Sequence, residues 1–420
     1  MLKTEKRSFP LVMAAVLALA LQSASRASCE GLRQKIDTLL ASPDLAGGIQ
    51  GVIVRSLADG SEWYSRGADL LFMPASNQKL LTSAAALHLL GPQFRFTTRL
   101  CSRAVPDRDG TLAGDLYLVG SGDPLLSDGD LAGMVRSLRQ VGVRRVAGRV
   151  VADASLFTGD TLGAAWSWDY LSHYYAAPAS ALNLNKNVVG LRLAPAKAAG
   201  DPPTVTVEPA GAPVHVIVTA RTGGPSAPTA LSIERRLGRG WIEVGGTIAQ
   251  DAPDAQRGPH WVTVPDPPLF AASVLTEQLR QAGIRVEWEP DFGTAPSDAS
   301  PLVEHASVPL AELLPLLNKP SDNLIAECLL RAVGARAAKE GSVEAGAQAA
   351  VEWFRSVGLP QGGCRIVDGS GLSRLNLVSP RLLAGLLEQM ARRLDFDVFK
   401  NSLKRLFRRD DVEVGECCTK

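Results

Sequence analysis

The chain has 420 residues, 46% hydrophobic and 21% charged, with 44 basic against 43 acidic residues and a net charge of +1. That length exceeds one ordinary domain, so two or more folding units are expected, and the composition is able to build a real core. The balanced charge offers no bulk field for nucleic acid or for an anionic membrane surface.

The first 27 residues read as a secretory signal peptide. Lys3, Lys6 and Arg7 make a basic start, Leu11 to Leu21 is an uninterrupted apolar run, and Ser25-Arg26-Ala27 puts small residues at the cleavage positions. The run is too short for a comfortable transmembrane helix, and no later stretch is apolar enough to span a bilayer. Cys29 suggests lipid attachment, but Arg26 fits a lipoprotein site badly, so ordinary cleavage near Ala27 and an exported, soluble product are expected. The six cysteines (Cys29, Cys101, Cys328, Cys364, Cys417, Cys418) form no C-x-x-C pair, which argues against zinc. Cys328 lies in an apolar helix and reads as core.

Residues 30–40 read as a short helix with Leu32, Ile36, Leu39 and Leu40 on one side. A β-branched run over Gly48–Leu57, a turn at Ala58-Asp59-Gly60 and a short run at Glu62–Tyr64 predict a hairpin. Met73-Pro74-Ala75-Ser76-Asn77-Gln78-Lys79 then opens an apolar helix that should stop at Gly91-Pro92. From Phe96 to Val264 short β-type runs alternate with Gly, Pro and Asp, interrupted by one helix at Asp130–Val141. Helices are expected again at Pro268–Gly283, Leu310–Leu317 (broken by Pro315 or ended by Pro320), Leu324–Ala338, Val343–Val357 and Arg381–Arg393, the last with Ser379 as N-cap and Pro380 at the first position. The pattern predicts one α/β domain, over 28–95 and 265–420, split by a mostly β insertion over 96–264 that leaves room for one module or two.

Two stretches carry chemistry. Ser76 and Lys79 are three residues apart on one helix face, so the amine can reach the hydroxyl, and the helix start supplies free N–H groups and the positive end of a dipole. Apolar Leu80 and Leu81 beside Lys79 disfavour its charged form and make it a base. The second stretch is Lys319-Pro320-Ser321-Asp322-Asn323, where a serine proton shuttle and a substrate-holding amide compete with a plain N-cap reading. Each motif, Ser-x-x-Lys and Ser-x-Asn, occurs once in the chain. No Ser-His-Asp constellation stands out among the five histidines, and G-x-S-x-G is absent. His173, Tyr174 and Tyr175 read as packing, and Arg405, Arg408 and Arg409 as a solvated basic run.

These two motifs are the first two of the S-x-x-K, S-D-N, K-T-G set of penicillin-interactive serine enzymes. With Tyr117–Pro124, Val150–Phe157, Ala179–Asn185 and Asp368–Arg374, the chain resembles the D-alanyl-D-alanine carboxypeptidase/endopeptidase family of low-molecular-mass penicillin-binding proteins, the class with a long insertion between its first two motifs. The resemblance spans roughly Leu32 to Lys400. It implies a serine β-lactamase/penicillin-binding transpeptidase-like fold and a periplasmic or cell-envelope enzyme that acts on peptidoglycan stem peptides. Ser76 would be acylated, Lys79 would take its proton, Ser321 would relay protons to the leaving amine and Asn323 would hold substrate. β-Lactams would acylate the same serine, and no metal or organic cofactor is implied. The family keeps the Asp368–Arg374 loop near the active site; by sequence alone it is a turn.

One departure stands against the pattern. No Lys-Thr-Gly follows Ser379, and the tail ending in Cys417-Cys418-Thr419-Lys420 does not resemble the family. The expectation is a sheet lacking its C-terminal strands, with an under-supported hairpin. It keeps open an inactive remnant or non-catalytic peptidoglycan-binding protein; a serine β-lactamase or esterase explains the long insertion poorly.

Overall fold

Asp59-Gly60 turns the chain as its sequence demands: β1 (Val52–Arg55) and β2 (Glu62–Arg66) pair antiparallel, with Val52 opposite Arg66. The computed structural model describes residues 30–236 and 240–404. The leader, Cys29, the Arg405–Arg409 run and Cys417-Cys418 lie outside the described residues. Helix α1, over residues 30–40, precedes the hairpin, and the Tyr64 hydroxyl donates to Asp37 Oδ1 to tie the two together. Beyond the hairpin, Ala75–Asn77 make a single 3-10 turn that runs directly into α2 (Gln78–Leu90), which ends at Gly91 with φ +83°.

The insertion begins with β3 (Thr97–Ser102), β4 (Thr111–Leu112), β5 (Leu116–Val119), α3 (Asp128–Gln140), β6 (Arg145–Val146) and β7 (Val150–Asp153). A capping box between Ser127 and Asp130 starts α3. Then follow β8 (Val188–Ala194), β9 (Thr204–Glu208), β10 (His215–Val218), β11 (Arg221–Gly223), β12 (Ala230–Arg235), β13 (Trp241–Ala249), α4 (Asp254–Arg257) and β14 (His260–Thr263). After these come α5 (Pro267–Gln281), β15 (Arg285–Val286), β16 (Asp291–Phe292) and β17 (Ser300–Ala306). The largest sheet has the order β16-β7-β5-β3-β17, β8 lies between β14 and β9, and β13 gathers β10, β11 and β12.

This topology moves the expected boundary at 264. Strand β17 pairs with β3, and Phe270, Val274, Leu275 and Leu279 of α5 are fully buried in the same apolar core as Leu100, Leu118 and Val150. The packing therefore assigns residues through Ala306 to the insertion. Sequence texture alone misplaced α5, because helical periodicity shows that a face is buried without showing against what.

The second core collects α2 with α6 (Leu310–Asn318), α7 (Asn323–Ala338), α8 (Val343–Ser356), α9 (Pro380–Ala391) and α10 (Phe396–Ser402). The short strands β18 (Cys364–Arg365) and β19 (Leu377–Val378) pair with each other. Pro315 does not break α6: Leu310, Leu313, Leu314 and Leu317 are all buried on one stripe, and their packing carries the helix on to Asn318. Ser379 caps α9 by accepting from Leu382 N–H, with Pro380 at the first helical position. Arg381 of α9 pairs with Asp69 at 2.7 Å and with Glu62, and Arg55 pairs with Glu388 at 2.9 Å, so α9 is bound to the hairpin. Among the described residues β1 and β2 pair with no third strand.

Helices α7 and α8 pack closely at Gly346, where a methyl group would lie 2.0 Å from the Leu330 carbonyl oxygen. Gly346→Ala should force the two helices apart. A net destabilisation of about 1–3 kcal/mol is expected, read as a lower urea midpoint, even though alanine is the better helix former.

Candidate active site

Ser76 sits in the 3-10 turn, two residues ahead of the start of α2, with its side chain exposed, whereas Lys79 in the first turn of α2 is 2% exposed. The Lys79 ammonium donates to Ser76 Oγ at 3.4 Å, to Asn323 Oδ1 at 2.6 Å and to the Ser370 carbonyl at 2.8 Å. Three acceptors satisfy a charged amine. When the amine is neutral, its two N–H bonds remain with the two shorter partners, and its lone pair is left for the Ser76 hydroxyl.

Burial lowers the Lys79 pKa from 10.5 to about 8, opposed by the negative charges of Glu327, Asp368 and Asp322. The direction agrees with the sequence argument for a depressed lysine, with burial as the cause. Because the folded value lies below the unfolded one, the group favours unfolding while protonated, and its penalty fades as pH rises from about 8 towards 10.5.

The Ser321-Asp322-Asn323 triplet divides its tasks. Asp322 is the N-cap of α7, accepting from Ile325 N–H at 3.1 Å, and it also pairs with Lys186 at 2.7 Å. The cap reading is thus satisfied by the middle residue, and the flanking two face the site. Ser321 takes a left-handed conformation, φ +64°, and its hydroxyl donates to Ser76 Oγ at 2.9 Å. Ala75, beside the nucleophile, is also left-handed at φ +46°. Such conformations in residues with a Cβ are costly, and they persist where the surroundings force them.

Asn323 is engaged at both ends of its amide: Oδ1 accepts from Lys79, and Nδ2 donates to the Tyr175 carbonyl at 2.7 Å. One lone pair and one N–H remain for a further partner. Tyr175 stacks on His173 with ring centroids 5.2 Å apart and brings a backbone acceptor to the site, but His173 and Tyr174 are exposed, so the packing expected of this group holds only for Tyr175. Sequence spacing holds no signal for that contact, because the partners lie 148 residues apart.

The remaining wall is the loop from Asp368 to Ser373. Buried Asp368 accepts from Gly371 N–H at 2.7 Å, Ser373 N–H at 2.6 Å, Asn376 Nδ2 at 2.7 Å and Trp166 Nε1 at 2.9 Å. Gly371, at φ +83°, touches the nucleophile turn so closely that a Cβ would fall 1.8 Å from the Ala75 carbonyl oxygen. The loop read as a turn is thus packed directly against Ser76, and its Ser370 carbonyl, absent from the sequence expectations, is a ligand of Lys79. On the other side of Ser321 opens a cavity of about 590 Å³, lined by Tyr174, Tyr175, Lys186, Trp261, Ser321 and Asn323.

The profile of the D-Ala-D-Ala carboxypeptidase 3 (S13) family matches residues 32–404. The chain belongs to this family. Relatives of the chain include a D-alanyl-D-alanine carboxypeptidase of Actinomadura sp., 35% identical over 379 residues, which cover 88% of this chain and 70% of that protein. D-alanyl-D-alanine carboxypeptidase DacB of Haemophilus influenzae is 29% identical over 349 residues, covering 82% and 71%. Among solved structures, penicillin binding protein 4 of Haemophilus influenzae superposes with a TM-score of 0.73 at 30% identity, covering 84% of this chain and 77% of that one. The expected penicillin-binding, β-lactamase-like fold is therefore the fold of this S13 member.

Asn323→Asp tests the electrostatics of the site. A carboxylate 2.6 Å from the amine should hold Lys79 charged to higher pH, by about 1–3 pH units. The measurement is an NMR titration of the labelled lysine side chain in both proteins; a midpoint unchanged from wild type contradicts the assigned contact.

Proposed function

We propose that the chain is an exported serine D-Ala-D-Ala carboxypeptidase that acts on peptidoglycan stem peptides through an acyl-enzyme on Ser76. The observation that carries this reading is the convergence of Lys79 Nζ and Ser321 Oγ on Ser76 Oγ, the latter from 245 residues away. Its membership of the S13 family names the scissile bond.

Neutral Lys79 takes the Ser76 proton as Oγ attacks the carbonyl between two D-alanines. The oxyanion forms against the N–H of Ser76, which at a helix opening has no carbonyl four residues back to bond. The C–N bond then breaks, Ser321 relays a proton to the departing amine, D-alanine leaves, and water later hydrolyses the ester. Asn323 orients Lys79 and offers its remaining N–H and lone pair to the substrate backbone. A β-lactam presents a strained amide to the same oxygen; the Haemophilus influenzae relative has been solved in complex with a β-lactam, at 28% identity and a TM-score of 0.68. The leader-like residues 1–27 support export to the periplasm or cell envelope, and among the described residues no helix is long and apolar enough to cross a membrane.

Labelled penicillin should attach covalently to the wild-type protein and not to Ser76→Ala. Persistent labelling of the alanine variant refutes the nucleophile. Ser321→Ala should slow acylation by about 10²–10⁴, the range for a lost proton-transfer group. The acylation rate should rise with pH through about 8, as Lys79 loses its proton. Folded wild-type protein that neither labels nor releases D-alanine from a stem-peptide analogue would be a non-catalytic wall-binding protein instead.

A further inference from the structure

Glu327 is fully buried in α7, one turn beyond Asn323, and the chemistry above does not use it. Its Oε1 accepts from two consecutive backbone N–H groups, Gly369 and Ser370, each at 3.0 Å. Its Oε2 accepts from Arg331 at 3.1 Å, and Arg331, 1% exposed, also donates to the Asp160 carbonyl at 2.9 Å. Gly369 lies so close to α7 that a Cβ would sit 2.4 Å from the Ala326 carbonyl oxygen. From the opposite side, Thr82 of α2 donates to the Gly369 carbonyl at 2.7 Å. The peptide between Gly369 and Ser370 is thereby clamped at both ends, and the next carbonyl along, that of Ser370, points at Lys79 Nζ from 2.8 Å.

We propose that Glu327 is a positioning residue for the general base: its carboxylate anchors the Gly369–Ser370 backbone so that the Ser370 carbonyl fixes Lys79, and its negative charge balances that of the lysine. The inference rests on the role proposed for Lys79. The charges facing the amine come from three elements: Glu327 on α7, Asp368 on the loop and Asp322 at the cap. Arg331 faces Glu327 from the next turn of α7. Burial and then the Asp368 charge push the Glu327 carboxyl up, opposed by Arg331 and by the bonds from Gly369 and Ser370. Buried Lys79 and Arg331 are thus set against buried Glu327 and Asp368, while Asp322 is paired with Lys186.

The test uses the full chain with E327Q and E327D. Glutamine keeps an oxygen for the two N–H groups and removes the charge; aspartate keeps the charge and draws the anchor back by one methylene. In E327Q the NMR midpoint of Lys79 and the rising limb of penicillin acylation should both move to lower pH, by about one unit. In E327D both should stay near the wild-type value while acylation per labelled site falls about ten- to a hundredfold, the scale for a misplaced reacting group. Unshifted midpoints in E327Q, wild-type rates per labelled site in both variants, or failure of both to fold would each reduce Glu327 to a core residue and overturn the proposal. Wild-type protein that does not label defeats the reading of Ser76 instead, and the Lys79 titration still decides the role of Glu327.

Discussion

Everything in the site hangs on where the Lys79 amine is held. Two strong acceptors, the Asn323 amide oxygen at 2.6 Å and the Ser370 carbonyl at 2.8 Å, reach it from positions 244 and 291 residues along the chain. Both are polar atoms fixed by their own surroundings, so the amine has little freedom. A buried ammonium with poor partners would cost several kcal/mol, and the fold supplies partners in a geometry that also suits the neutral form. Desolvation and fixed dipoles thus meet on one nitrogen: the first disfavours its charge, the second holds it still.

That constraint explains why the molecule has two cores and one site. The helical core supplies α2 and α7, whose adjoining starts carry Ser76, Lys79, Ser321 and Asn323. The insertion has its own apolar core, yet it sends Tyr175 and Trp166 across to bond Asn323 and Asp368. It is therefore part of the wall of the site. The left-handed Ala75 and Ser321 lie where these parts press together, which is where strain can be sustained.

The hairpin is the part held least by its own sheet. Among the described residues it has one strand pair, and its support comes from α9 through Arg55–Glu388 and Arg381 with Asp69 and Glu62. These pairs are partly exposed and individually weak, so their value lies in fixing orientation more than in adding stability.

Local chemistry alone determined much of this protein. Hydrophobic period, caps and turn residues located α2, α7, α8 and α9 and the Asp59-Gly60 hairpin, because each is specified by neighbours within a few residues. The Ser-x-x-Lys and Ser-Asp-Asn motifs named the four residues that meet at the site, since each motif is a short run at the opening of a helix. Tertiary structure decided the rest. Helix α5 went to the insertion, Pro315 stayed inside α6, and Asp322 took the cap and left Ser321 and Asn323 for the site. The Ser370 carbonyl, the Tyr175 carbonyl and buried Glu327 were invisible in the sequence for one physical reason. A backbone oxygen has no residue identity, and a buried carboxylate reveals its role only through partners brought to it by packing from distant parts of the chain.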